Sequence, residues 1–150
     1  MIVAFQTSRR GDQGKIPAQD ARRVRQMRRL ARARLGYCGL DCMIADVELI
    51  VSELVTNAIQ HNHGATVTMS LHLKDGTLRV EVSDGSPDRP QMQQPNDDAE
   101  NGRGLFLVVG LADEWGVSAD GMTTWCSIHL RQPPSRVLRE GLINGGEGAA

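Results

Sequence analysis

Val67-Thr68-Met69-Ser70-Leu71-His72-Leu73-Lys74-Asp75-Gly76-Thr77-Leu78-Arg79-Val80-Glu81-Val82 is the stretch that decides the fold. Val67, Met69, Leu71 and Leu73 alternate with polar residues, Asp75-Gly76 supplies a tight turn, and Leu78, Val80 and Val82 alternate again. This predicts a hairpin with one buried face. Just upstream the period is different. Val47, Ile50, Val51, Leu54, Val55, Ala58 and Ile59 recur at i, i+3, i+4, i+7 without a break, which predicts a helix over about 43–62 closed by Gly64. Val24, Met27, Leu30, Ala31 and Leu35 predict another over about 17–35, with Pro17 at its start and Gly36 at its end.

The remaining elements are shorter. Residues 1–7 read as a strand and 9–15 as a loop. Gly104 to Leu111 reads as a short apolar helix, and Glu114 to Ser118 and Met122 to Leu130 read as two strands around Asp120-Gly121. Residues 84–103 hold Gly85, Pro87, Pro90, Pro95 and Gly102 but almost nothing to bury, the signature of a functional lid or a disordered segment. The stretch from Gln132 onward has two prolines and late glycines and reads as a mobile tail over 132–150, leaving 1–131 as one domain. Strands paired as hairpins, with helices gathered on one face, predict an α+β two-layer sandwich with a mixed, mostly antiparallel sheet.

Composition narrows the function classes. The 150 residues carry a formal charge of −1, but that figure sums two unlike parts. Residues 1–35 hold ten Lys and Arg against Asp12 and Asp20, a balance of +8, and the rest holds seven basic and sixteen acidic residues, a balance of −9. No apolar run approaches the roughly 20 residues of a membrane span, and the N-terminus lacks the pattern of a signal peptide, so a cytoplasmic location without membrane association is expected. Cys38, Cys42 and Cys126 are an odd number without framework spacing and read as free thiols. Only 3% of residues are aromatic, which argues against a base-stacking surface.

Three clusters can carry chemistry. Glu53, Asn57 and His61 lie four apart and form one stripe along the edge of the apolar helix face. A carboxylate there can accept a proton, and an amide oxygen can hold a hard cation such as Mg²⁺. Read alone, such a stripe is an ordinary solvated flank. Asp84-Gly85-Ser86-Pro87 follows the third strand. It is ordinary turn chemistry unless its carboxylate faces a cleft, where it can accept a bond from an exocyclic amine while Gly85 lets a ring approach. Gly102-Arg103-Gly104-Leu105 opens an apolar helix, where exposed N–H groups and the dipole suit phosphate oxygens. The spacing fits neither a Walker A loop nor Gly-x-Gly-x-x-Gly.

In this order the clusters resemble the GHKL ATPase superfamily with its Bergerat nucleotide fold. Glu53-Leu54-Val55-Thr56-Asn57-Ala58, Asp84-Gly85-Ser86-Pro87, and Gly102-Arg103-Gly104-Leu105 followed by Ala112-Asp113-Glu114-Trp115-Gly116 are similar to the stand-alone anti-sigma regulatory factors of the RsbW and SpoIIAB type, which are serine/threonine protein kinases. The likeness runs from about Pro17 to Leu130. It implies ATP and Mg²⁺ as cofactors, with Glu53 as the catalytic base and Asn57 as the Mg²⁺ ligand. Asp84 would hold the adenine amine beside Gly85, and Gly102, Arg103, Gly104, Leu105 and Thr123 would lie around the phosphates. It also implies a sigma factor or a small antagonist protein as partner, no direct nucleic acid, and a homodimer by analogy.

Two positions depart from the superfamily's pattern. Its usual Asp-x-Gly places glycine where this chain has Ser86, and Gly121-Met122-Thr123-Thr124 stands where relatives often carry Gly-Lys-Thr. The second change removes a cation from the γ-phosphate's surroundings and leaves Thr123 to bond a phosphate. A nucleotide-gated interaction module without significant kinase activity is therefore the rival reading. The ATPase half of a histidine kinase is disfavoured, since 150 residues leave no room for a phosphoacceptor helix pair.

The other conspicuous residues read more plainly. His61-Asn62-His63 with Cys38-x-x-x-Cys42 matches no zinc spacing and reads as a helix end and buried thiols. Trp115 and Trp125 read as core or rim packing. Seven arginines between 22 and 34 read first as a solvated face, then as a docking face for an acidic protein, and last as a nucleic-acid surface, since no base-reading motif accompanies them.

Overall fold

Alternating side chains build the sheet and 3.6-residue periodicity builds the layer that covers it. A computed structural model describes residues 1–8, 16–61, 66–85 and 102–131. The elements are β1 (Ile2–Gln6), α1 (Ala18–Tyr37), a 3₁₀ turn (Asp41–Met43), α2 (Ile44–His61), β2 (Thr66–Lys74), β3 (Thr77–Ser83), α3 (Gly102–Leu111), β4 (Glu114–Val117) and β5 (Thr123–His129). The strands form one sheet in the order β1-β2-β3-β5-β4. Every pairing among the described residues is antiparallel, so the sheet is more uniform than the expected mixed one. Of the expected lid over 84–103, residues 86–101 lie outside the described residues, as do the tail over 132–150 and the loop over 9–15, while Asp84 and Gly85 follow β3 and Gly102 and Arg103 open α3.

The hairpin sits in the register its alternation requires. Lys74 pairs with Thr77 around Asp75 (φ 49°) and Gly76 (φ 72°), the two left-handed positions of a two-residue turn. Val67, Met69 and Leu71 of β2 and Leu78, Val80 and Val82 of β3 are buried on one face. Val47, Ile50, Val51, Leu54, Val55, Ala58 and Ile59 of α2 and Met27, Ala31 and Leu35 of α1 meet them in a single core, which Phe5, Val108 and Cys126 complete. This is the α+β two-layer sandwich, with helices over one face of an open antiparallel sheet.

Some boundaries differ from the sequence reading, each for a local reason. α1 runs on to Tyr37 because Gly39, and not Gly36, takes the left-handed position (φ 71°). Leu40 then donates to the Leu35 carbonyl at 2.9 Å and Gly39 to the Gly36 carbonyl at 3.1 Å, the two bonds of a Schellman stop. α3 starts at Gly102, so both glycines lie in its first turn, where N–H groups have no helical acceptor. Cys38 is half-buried and Cys42 exposed, against the expected burial, because they occupy that stop and the 3₁₀ turn after it. Cys126 is buried in β5, where burial pushes its thiol up to about 12, and all three cysteines are free.

α1 and α2 are clipped at the surface. Arg32 donates through Nε and Nη2 to the two carboxylate oxygens of Glu48, both at 2.9 Å. The hydrogen bond to Arg32 holds the Glu48 carboxyl below its ordinary range. At the other end of α1 the Asp20 carboxylate is buried in the first turn and accepts from the Ser8 backbone N–H at 3.3 Å.

Candidate nucleotide site

The polar stripe lies along α2, the helix that shares its layer with α1 and α3 and packs on the middle of the sheet. α2 packs on α1, α3, β2 and β3. Leu54 and Ala58 point into the core, so Glu53 and Asn57, one step earlier at each turn, fall at the edge of that buried face and are half-buried. Neither side chain has a hydrogen-bond or ion-pair partner among the described residues. Burial raises the Glu53 carboxyl above its ordinary value. His61, the third member of the stripe, is exposed at the end of α2.

Asp84 follows β3 directly and is 8% exposed. Its backbone N–H donates to the Met122 carbonyl at 3.0 Å, which ties the end of β3 to the corner that precedes β5. Gly85 comes next at φ 66°, a left-handed position that favours glycine. Thr123 opens β5 opposite Ser83. The structure therefore brings Asp84, Gly85 and Thr123 to one end of the two central strands.

The corner holding Thr123 is built by a network the sequence reading did not anticipate. Ser118 Oγ donates to the Asp120 carboxylate, which also accepts from the Met122 N–H at 3.0 Å. Ser118 Oγ accepts from the Thr123 N–H at 3.0 Å, and Gly121 supplies the left-handed position at φ 75°. The Thr123 hydroxyl has no partner among the described residues. Ser118-x-Asp120-Gly121 is the available sequence signal, because short polar side chains that bond nearby backbone groups are turn formers.

α3 supplies the third wall. It packs against α2, with Val108 buried and Leu107 exposed. Its first turn is Gly102-Arg103-Gly104-Leu105, whose backbone is helical and whose Arg103 and Leu105 side chains lie outside the described residues. A helix N-terminus without Cβ atoms at two of its first three positions leaves N–H groups open to anionic oxygens. Among the described residues no group of three or more His, Cys, Asp or Glu could hold a metal ion, and His63 lies outside them.

An open antiparallel sheet under three helices, with a carboxylate and an amide on the central helix and a glycine-rich helix start beside it, defines the two-layer fold of the GHKL ATPases. Residues 16–128 match the family model described as "Histidine kinase-like ATPase domain". The chain belongs to this family, and ATP is the ligand that membership supports. The matched segment begins just before α1 and ends in β5, so it takes in all three clusters. No helix among the described residues is long and apolar enough to cross a membrane.

Proposed function

We propose that the chain is an ATP-binding regulator of the anti-sigma-factor type, which holds a transcription factor partner and phosphorylates a serine or threonine of an antagonist protein. The observation that carries the catalytic part is Glu53. It is a half-buried carboxyl without a partner among the described residues, with its pKa raised by burial, on the same helix stripe as an uncommitted amide. Such a group is poised to accept a proton.

The residues fit a magnesium nucleotide. Asn57 offers a hard oxygen donor, and Mg²⁺ needs few protein ligands when phosphates supply the rest. When bound, the ion would neutralise phosphate charge. Asp84 would accept from the adenine amine, Gly85 would leave room for the ring, and Thr123 with the first turn of α3 would hold phosphate oxygens. Glu53 would take the proton from the acceptor hydroxyl as that oxygen bonds to the γ-phosphorus. The bond from phosphorus to the bridging oxygen breaks at the same time, leaving ADP and a phosphorylated serine or threonine.

One observation favours the second reading, a nucleotide-gated interaction module with little catalysis. Met122 is neutral, and both its N–H and its carbonyl are committed to building the corner. Glu53→Gln separates the two. For a kinase, transfer of labelled phosphate to a candidate antagonist falls by about 10²-fold or more while ATP affinity measured by calorimetry holds. A pure binder retains partner capture and its ATP dependence in the same variant.

A further inference from the structure

β1 is an edge strand with its outer side open. It stands first in the sheet order and pairs with β2. The Met1 amino group donates to the Leu71 carbonyl at 2.9 Å, and the Leu71 N–H returns a bond of 2.9 Å to the Met1 carbonyl. This fixes the phase of the ladder, because bonded and non-bonded pairs alternate along an antiparallel pair. Val3 and Phe5 direct their backbone groups toward β2, and Ile2, Ala4 and Gln6 direct theirs away from it. These three have no partner on that outer side among the described residues.

Natural sheets blunt such an edge with a charge, a proline, a bulge or a very short strand. The opposite edge follows this rule: β4 has four residues and opens on Glu114 beside Asp113. β1 does not. Its sequence Ile2-Val3-Ala4-Phe5-Gln6 is uncharged, its register runs unbroken from Ile2 opposite Ser70 to Gln6 opposite Thr66, and Ile2 is 68% exposed.

α1 indicates the occupant. The Arg23 guanidinium lies 5.9 Å from the centre of the Phe5 ring, and Ser8, two residues past β1, bonds Asp20 of α1. The arginine helix therefore starts beside the open edge. All seven of its arginines are exposed, and Arg32 alone is ion-paired among the described residues. A second copy of the chain would set one arginine helix against another across the seam, like charge facing like charge.

We propose that β1 is a docking edge that takes an added strand from a partner protein, whose segment carries carboxylates on the side facing α1. Main-chain bonds to Ile2, Ala4 and Gln6 supply the affinity, and the arginines select an acidic sequence. This surface does not depend on the nucleotide reading.

The test uses the full chain with two blocked seven-residue peptides, one alternating glutamate and valine and one alternating lysine and valine. The glutamate peptide is expected to slow hydrogen exchange at the amides of Ile2, Ala4 and Gln6, and the lysine peptide is not. Ala4→Pro removes a donor that takes no part in the ladder to β2, so it should weaken the glutamate peptide about tenfold at unchanged melting temperature. Arg23→Glu should also weaken binding, and this charge reversal, which leaves the ladder to β2 intact, covers the case in which the proline variant fails to fold. Equal binding of both peptides, or no protection by the glutamate peptide, would overturn the proposal. Protection that grows with protein concentration without peptide would assign the edge to a second copy and overturn it too.

Discussion

The backbone N–H of Asp84 and the carbonyl oxygen of Met122 are joined at 3.0 Å, so the end of β3 and the corner before β5 form one rigid unit. The Met122 N–H bonds Asp120 at 3.0 Å, so both backbone groups of this residue are structural, and its side chain is left to vary without disturbing the corner. Where the resemblance implies a lysine, the chain has an uncharged side chain on this scaffold.

Met122→Lys should therefore fold normally and bind ATP more tightly. A lysine beside Thr123 would face the phosphates in water-accessible surroundings, so the gain should be about three- to tenfold at low salt and should shrink as ionic strength rises. Isothermal titration at two salt concentrations checks this. An unchanged affinity would place the phosphates away from the corner.

Glu53 gives a prediction about pH whose sign is fixed by its surroundings. Burial raises its folded-state pKa above the unfolded value, so the ionised form is the one the fold disfavours. The destabilisation is complete above the folded pKa and gone below the unfolded value of about 4.3. Glu53→Gln should accordingly raise the melting temperature at pH 7, by about 1–2 °C given that the site is partly solvated, and the difference should vanish near pH 4. If Glu53 is the proton acceptor, transfer should decline in acid with a midpoint above that of an ordinary glutamate. Melting curves and rates across pH 4–8 read both effects.

The alternation at 67–82 and the unbroken period at 47–59 made the hairpin, the central helix and its seven buried residues legible, because each pattern reports a local choice that the tertiary structure preserves; Leu73 is the exception, in phase with Val67, Met69 and Leu71 but 45% exposed beside the turn. The stripe was legible for the same reason: once Leu54 and Ala58 face the core, Glu53 and Asn57 have only its margin to occupy. The corner at 118–123 was not, since its bonds run between short polar side chains and backbone across a turn and leave no periodic trace. Nor was the end of α1, where either Gly36 or Gly39 could take the left-handed position and only Leu40, reaching back to Leu35, decides between them.

Arg32 and Glu48 offer a measure of how firmly α1 is held. The two bonds of 2.9 Å leave Glu48 largely covered, at 12% exposure, while Arg32 stays 62% exposed. Because Arg32 depresses the Glu48 pKa, the contribution is fully present above the unfolded value of about 4.3 and is lost as pH falls through the folded one. Glu48→Gln should lower the melting temperature by about 2–4 °C at pH 7, and the difference should shrink as the pH falls below the unfolded value of about 4.3. A constant difference across that range would mean that packing, not charge, accounts for the loss.

The sheet face opposite the helices carries one tight fit. Gly116 of β4 lies opposite Trp125 of β5, and a Cβ at Gly116 would sit 2.9 Å from Trp125 Cζ2 and 3.0 Å from Cε2. The indole cannot yield freely, because the Arg79 guanidinium stacks 4.1 Å from its ring centre and is itself held by Glu81 at 2.6 Å. Gly116→Ala should therefore destabilise the protein by about 1–3 kcal/mol, the usual cost of overpacking. Since the cost arises from the ring and not from the backbone, Trp125→Thr should remove most of it, giving a coupling of about 1–2 kcal/mol in a double-mutant cycle. Arg79→Ala should recover part of it by letting the indole turn aside. Urea unfolding of the four variants in the Gly116–Trp125 cycle and of the Arg79 pair supplies every term. Additive behaviour would show that Gly116 is required for its backbone alone.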